Sequence, residues 1–100
     1  MRSGSTVRPK KWSSVIDLYD DGITSLIFGI YDQKKKCLGI RWNGDSNNPK
    51  DIGFPSQGKY PLWFVLPEWI EMQILSIIRG KSCSNSKNIQ IASKELRLFL

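Results

Sequence analysis

The stretch from Tyr60 to Gly80 constrains the fold of this chain more than any other. The apolar run LWFVL at 62–66 leads directly into Pro67, and residues with the apolar spacing of a helix follow as far as Arg79. Proline at the first helical position, acidic residues in the first turn and glycine just past the end typically mark the limits of an α-helix. The sequence therefore predicts a buried strand that turns at once into a helix, which is the framework of a small α+β domain.

Three more strands are predicted before this junction, over 12–19, 23–31 and 37–42. The third alternates cleanly, with Leu38, Ile40 and Trp42 on one face. Asp-Gly at 21–22 supplies the positive φ of a tight hairpin turn, and 32–36 form the second turn. We therefore expect a four-stranded antiparallel sheet, arranged as a meander, followed by one amphipathic helix over 67–79. The apolar stripe of that helix comprises Ile70, Ile74, Ile77 and Ile78.

The flanking segments have a different composition. Residues 1–11 are basic and almost without apolar side chains, which predicts a disordered arm. The chain of 100 residues is long enough for one domain, and we place that domain at 12–80. Residues 81–100 are expected to form a polar linker and a short C-terminal element: a linker over 81–87, an edge strand over 88–92 and a short helix over 93–100.

A long polar segment, 43–60, precedes the last strand and is rich in Gly, Pro, Asn and Ser. Loops of this length are uncommon inside compact domains and often carry function. The alternative is a compact structural loop held in place by Phe54 and Tyr60. Both interpretations remain open at this point.

The net charge of +6 is concentrated in clusters, of which Lys34, Lys35 and Lys36 form the densest. Clustered cations suit a polyanion, a membrane surface or an acidic protein, although lysines in turns are also ordinary solvated residues. No segment has the ~18–20 apolar residues of a membrane span, and no apolar run follows the basic N-terminus as in a secretory signal. We therefore expect a cytoplasmic protein without a membrane partner.

Histidine is absent, which removes the commonest general base and every Ser-His or Cys-His nucleophile pair. Asp17, Asp20 and Asp21 have the oxygen ligands that a divalent cation needs, but they surround a predicted hairpin tip, where acids usually form turns. Cys37 and Cys83 lack the spacing of a zinc site, so free thiols are expected. The sequence favours a protein that is not an enzyme and needs no cofactor.

The sheet face opposite the predicted helix contains the candidate binding residues. Trp63 and Arg41 are expected there by alternation, beside the turn that contains the three lysines. An exposed aromatic and basic face suits base stacking combined with phosphate neutralisation. The alternative is that Trp63 is buried in a dimer interface or under the long loop. The candidate nucleic-acid-binding residues are Lys10, Lys11, Lys34, Lys35, Lys36, Arg41 and Trp63.

Residues 58–79, which begin with GKYPLWFVLPEWIEMQIL, resemble the strand-to-helix junction of the single-stranded-DNA-binding coactivators of the positive-cofactor-four type. The basic arm and the three preceding strands fit the same plan. The resemblance implies a homodimer that binds unpaired strands across its sheet. Pro61 at the strand start and the long, polar 43–60 loop depart from the family pattern.

Two functional hypotheses follow from the sequence. The first is a small non-enzymatic module that binds nucleic acid, single-stranded by preference, through charge and stacking. The second is a small protein–protein interaction factor, antitoxin-like, phage-encoded or host-modulating, that binds an acidic protein or another partner. Its contact surface would be the 43–60 loop, Trp63 and the C-terminal apolar residues Leu96, Phe99 and Leu100. Binding to a polyanion weakens steeply with salt, which distinguishes the two.

Overall fold

The computed structural model of the chain describes residues 11–44, 47–48, 50–57 and 60–98. Within them lie six strands and two helices. The strands are β1 (Trp12–Asp20), β2 (Thr24–Tyr31), β3 (Lys35–Trp42), β4 (Ser56–Gln57), β5 (Tyr60–Pro61) and β6 (Phe64–Val65). The helices are α1 (Glu68–Ile78) and α2 (Ser86–Glu95).

The main sheet has four strands in the order β1-β2-β3-β6, and every neighbouring pair is antiparallel. The predicted α+β class with a four-stranded antiparallel sheet is therefore confirmed. The fourth strand is shorter than expected, because only Phe64 and Val65 pair with β3. Strands β4 and β5 form a separate two-stranded hairpin within the long loop.

Asp21 shapes the turn between β1 and β2. Its Oδ1 accepts hydrogen bonds from the backbone N–H groups of Thr24 at 2.7 Å and Ile23 at 2.8 Å, while Gly22 takes a φ of 86°. The backbone bond from Thr24 is the main reason that the pKa of Asp21 is lowered, and the bond from Ile23 adds to it. Asp20 and Asp21 therefore have the turn-forming role that was expected, since Asp20 also accepts a hydrogen bond from the N–H of Gly22, whereas Asp17 lies inside β1 opposite Ile27.

Both helices contribute to a core on one side of the sheet. The buried members of this core are Leu18, Leu26, Phe28, Leu38, Leu66, Leu75, Ile78, Ile89 and Ala92. Leu75 and Ile78 are the buried apolar residues of α1, whereas Ile77 is 60% exposed and Ile74 is half-buried. The expected stripe was thus placed too far to one side. Because apolar residues surround much of this helix, their spacing did not determine which of them face the sheet.

The C-terminal segment differs from the sequence expectation. Residues 88–92, expected as an edge strand, belong to α2. The side chain of Asn85 caps this helix by accepting a 3.0 Å hydrogen bond from the backbone N–H of Asn88. Ile89 and Ala92, three residues apart, face the core, and this is helical rather than strand spacing. No helix in the part of the chain that the structure describes is long and apolar enough to cross a membrane.

Candidate nucleic-acid interface

The turn between β2 and β3 exposes the three clustered lysines. Asp32 and Gln33 have φ values of 53° and 60°, and the backbone N–H of Lys34 donates to Tyr31 across the turn at 3.1 Å. Positive φ at both central residues is the geometry of a tight hairpin. Lys34, Lys35 and Lys36 are all exposed where β3 begins, as the sequence predicted.

Lys11 lies beside this turn although it is distant in sequence. Its carbonyl accepts a 2.7 Å hydrogen bond from the backbone N–H of Asp32, and its side chain is exposed. This contact follows from the antiparallel pairing of β1 and β2, which places Trp12 opposite Tyr31. Lys10, the seventh candidate residue, lies outside the described residues.

Both helices approach the same end of the sheet and supply acids as well as cations. Lys35 pairs with Glu68 of α1 at 3.2 Å, and Lys36 pairs with Glu95 of α2 at 2.5 Å. The hydrogen bond from Lys36 lowers the pKa of Glu95. Exposed ion pairs of this kind contribute little to stability, so these lysines remain available to a stronger anionic partner.

We call this region the basic end. It holds six cations and three acids, a net charge of +3 among the described residues. We include Lys94 and Arg97, which are exposed and lie on either side of Glu95 in the sequence; the charge of Lys94 helps to lower the pKa of Glu95. The cations are Lys11, Lys34, Lys35, Lys36, Lys94 and Arg97, and the acids are Asp32, Glu68 and Glu95.

Trp69 is an exposed aromatic side chain at the basic end. It follows Glu68 in the first turn of α1 and is 76% exposed. The pair between Glu68 and Lys35 therefore holds this turn close to the lysine cluster. Trp69 was not among the binding residues predicted from the sequence, although its position outside the apolar stripe of the helix was a signal that it faces solvent.

Trp63 and Arg41 are buried, so their expected exposure on an open sheet face is wrong. Trp63 is 6% exposed and packs in a second cluster with Trp12, Ile27 and Cys37. The alternative expected this burial in a dimer interface or under the long loop, whereas the cluster that covers Trp63 comes from β1, β2 and β3. As positioned here, its ring is not accessible for base stacking.

Arg41 is completely buried and is bound to the backbone of the long loop. Its guanidinium donates to the carbonyl of Leu62 at 2.7 Å and to the carbonyl of Ile52. It also lies 5.9 Å from the centre of the Trp63 ring, within the range of a cation–π contact. These bonds hold the long loop, through Ile52, and the segment just before β6, through Leu62, against this face. Arg41 therefore has a structural role.

A group of exposed aromatic residues lies at the opposite end of β3. Trp42 and Phe54 form an antiparallel bridge, with backbone bonds of 2.8 and 2.9 Å and ring centroids 6.5 Å apart. Phe64 pairs with Ile40 on the neighbouring strand. Trp42, Phe54 and Phe64 are 52%, 63% and 52% exposed, and we call these three residues the aromatic patch.

The described residues contain no group of three or more acidic or cysteine side chains that could hold a metal ion. Cys37 and Cys83 are both free thiols, the first buried and the second exposed. No protein-family model matches the chain, and no curated protein and no solved structure matches it. These comparisons give no support to the resemblance to the positive-cofactor-four type, which stays a prediction from the sequence.

Proposed function

We propose that this protein is a small, non-enzymatic module that binds single-stranded nucleic acid, and that it does so at the basic end. The observation that carries the proposal is the convergence there of Lys11, the lysines of 34–36 and the exposed ring of Trp69. Cations and an accessible aromatic ring are the two elements that single-strand binders combine.

In this proposal the lysines neutralise phosphates while Trp69 stacks on a base. The sequence before Lys11 adds Arg2, Arg8 and Lys10, which are joined to the basic end through the chain. Release of counterions from the strand supplies much of the affinity, and stacking tolerates any base because every base has a π face. We expect little sequence preference.

Kinship with the positive-cofactor-four coactivators would account for the basic arm and for the order of the elements. It would also bring the homodimer expected of that family. A cytoplasmic location would keep Cys37 and Cys83 reduced.

A labelled single-stranded oligonucleotide titrated against wild type, Trp69→Ala and Trp42→Ala tests this proposal. Trp69→Ala should weaken binding by about 1–3 kcal/mol, the usual contribution of a stacking aromatic. Trp42→Ala is the matched control, since Trp42 is also exposed but lies at the other end of β3. On an abasic strand, wild type and Trp69→Ala should bind alike. Absence of wild-type binding at low salt would refute the proposal.

The aromatic patch favours a second candidate function, which is protein–protein interaction. Exposed aromatic residues that lie close together are typical of partner-binding surfaces, and Phe54 belongs to the long loop named in that hypothesis. The test is capture of a partner from native lysate after nuclease treatment. A partner retained by wild type and lost by a Trp42→Ala/Phe54→Ala double variant would support this function.

A further inference from the structure

Glu71 is a buried acidic residue in the first turn of α1. It is only 4% exposed, and its Oε2 is buried with no hydrogen-bond partner in the part of the chain that the structure describes. Burying an ionised carboxylate without full compensation costs free energy, and acidic residues are rarely found in this state. The neighbouring acid of the same turn, Glu68, is by contrast exposed and paired with Lys35.

Glu71 lies where the pairing between β3 and β6 ends, so that the edge of β3 has no strand beside it. Leu66 donates its N–H to the carbonyl of Leu38 at 2.9 Å, just beyond the end of β6 at Val65. In an antiparallel strand, the N–H and C=O of one residue point to the same side. The N–H of Leu38 therefore also faces this edge, towards the Glu71 carboxyl, and its donation acts to lower the pKa of that group. Glu68 and Glu71 thus place the first turn of α1 beside a part of β3 that pairs with no strand on this side.

The surroundings of the carboxyl favour its neutral form. Burial is the main cause that raises the pKa of Glu71, and the negative charge of Glu68 adds to it. The bond from Leu38 and the charge of Lys35 act in the opposite direction. The buried Cys37 thiol of β3 lies in the cluster with Trp63, and its pKa is raised by its own burial and then by the charge of Glu71. The charged residues of α2, which packs on α1, are Lys87, Lys94 and Glu95.

We propose that the docking of α1 on the edge of β3 depends on the protonation of Glu71. A protonated carboxyl still accepts from Leu38 with one oxygen and leaves no charge in the buried site. An ionised carboxyl places an uncompensated charge there, beside Glu68. Ionisation therefore loosens the first turns of α1, which also hold the Glu68–Lys35 pair and Trp69.

The sign of the pH effect follows from the direction of the shift. The folded pKa of Glu71 lies above its ordinary value of 4.5, so the folded state binds this proton more tightly than the unfolded chain does. Its stabilising effect is complete below 4.5 and is lost as the pH rises through the folded value. At neutral pH the protein should therefore be less stable than it would be if Glu71 stayed protonated.

Chemical unfolding of wild type, Glu71→Gln and Glu68→Gln between about pH 4 and about pH 8 tests this inference. Glutamine has the size of a protonated glutamate and cannot ionise. We expect the ratio of the folding constants, Glu71→Gln to wild type, to rise with pH by about tenfold for each unit by which folding raises the pKa. Glu68→Gln makes the same charge change at an exposed site and should retain most of the wild-type pH dependence.

Hydrogen exchange of the Leu38 amide gives a local measurement. After correction for the intrinsic rate, its protection should fall with rising pH in wild type and stay constant in Glu71→Gln. Parallel pH profiles of wild type and Glu71→Gln would overturn the inference. A Glu71→Gln variant that is less stable than wild type at neutral pH, or that fails to fold, would also overturn it.

Discussion

Trp63 and Trp69 lie six residues apart; the sequence suggested a binding role for Trp63 and none for Trp69, but Trp63 is buried and Trp69 is 76% exposed. Alternation along a strand shows which side chains share a face, but it does not show what covers that face. Trp12 packs across Gly29 and Gly39, where a Cβ on Gly39 would lie 2.9 Å from its ring. Glycine inside two adjacent strands is a signal of such close approach, and it could have indicated that this face is covered.

Arg41→Met should destabilise the protein by about 2–4 kcal/mol, because two carbonyls lose a charged donor in a buried site. The carbonyls are those of Ile52 and Leu62. Urea unfolding measures the change, and Lys50→Met, an exposed position of the same loop, serves as the control with an effect within about 0.5 kcal/mol. A similarly small effect of Arg41→Met would show that the guanidinium does not hold the loop.

At the scale of elements, local sequence signals predicted the long strands and α1 well. Pro67, just before the helix, and the Asp-Gly turn are local features whose backbone requirements do not depend on the rest of the fold. The rotation of α1 and the identity of α2 depend on tertiary contacts. Ile89 and Ile91 also fit strand alternation, and only the capping by Asn85 and the burial of Ala92 favour the helix.

Leu75→Ala should cost about 2–5 kcal/mol, the usual cost of truncating a buried leucine. Leu75 is fully buried among the core residues from both helices and the sheet. Ile77→Ala is the matched control on the same helix, and at 60% exposure it should change stability by less than about 0.5 kcal/mol. Thermal or urea unfolding measures both. A larger loss for Ile77→Ala than for Leu75→Ala would mean that α1 packs through a different face.

At the scale of the whole molecule, the basic end is produced by topology. The exposure of Lys34, Lys35 and Lys36 was predicted from their turn, whereas the contact of Lys11 with Asp32 required the pairing of β1 with β2. The contributions of α1 and α2 were not predicted, since they depend on where each helix ends on the sheet. Of the residues selected from sequence, the lysines of 34–36 and Lys11 meet at one surface, while Arg41 and Trp63 lie inside.

The salt dependence of single-stranded oligonucleotide binding tests the role of the basic end most directly. The measurement compares wild type with the triple variant Lys34→Ser/Lys35→Ser/Lys36→Ser. The control, Lys50→Ser/Lys81→Ser/Lys87→Ser, removes the same charge from exposed sites elsewhere. Removing three phosphate contacts should reduce the slope of log affinity against log salt by about 2, because fewer counterions are released. The control should keep the wild-type slope. Equal slopes for the two triple variants would contradict a binding surface at the basic end.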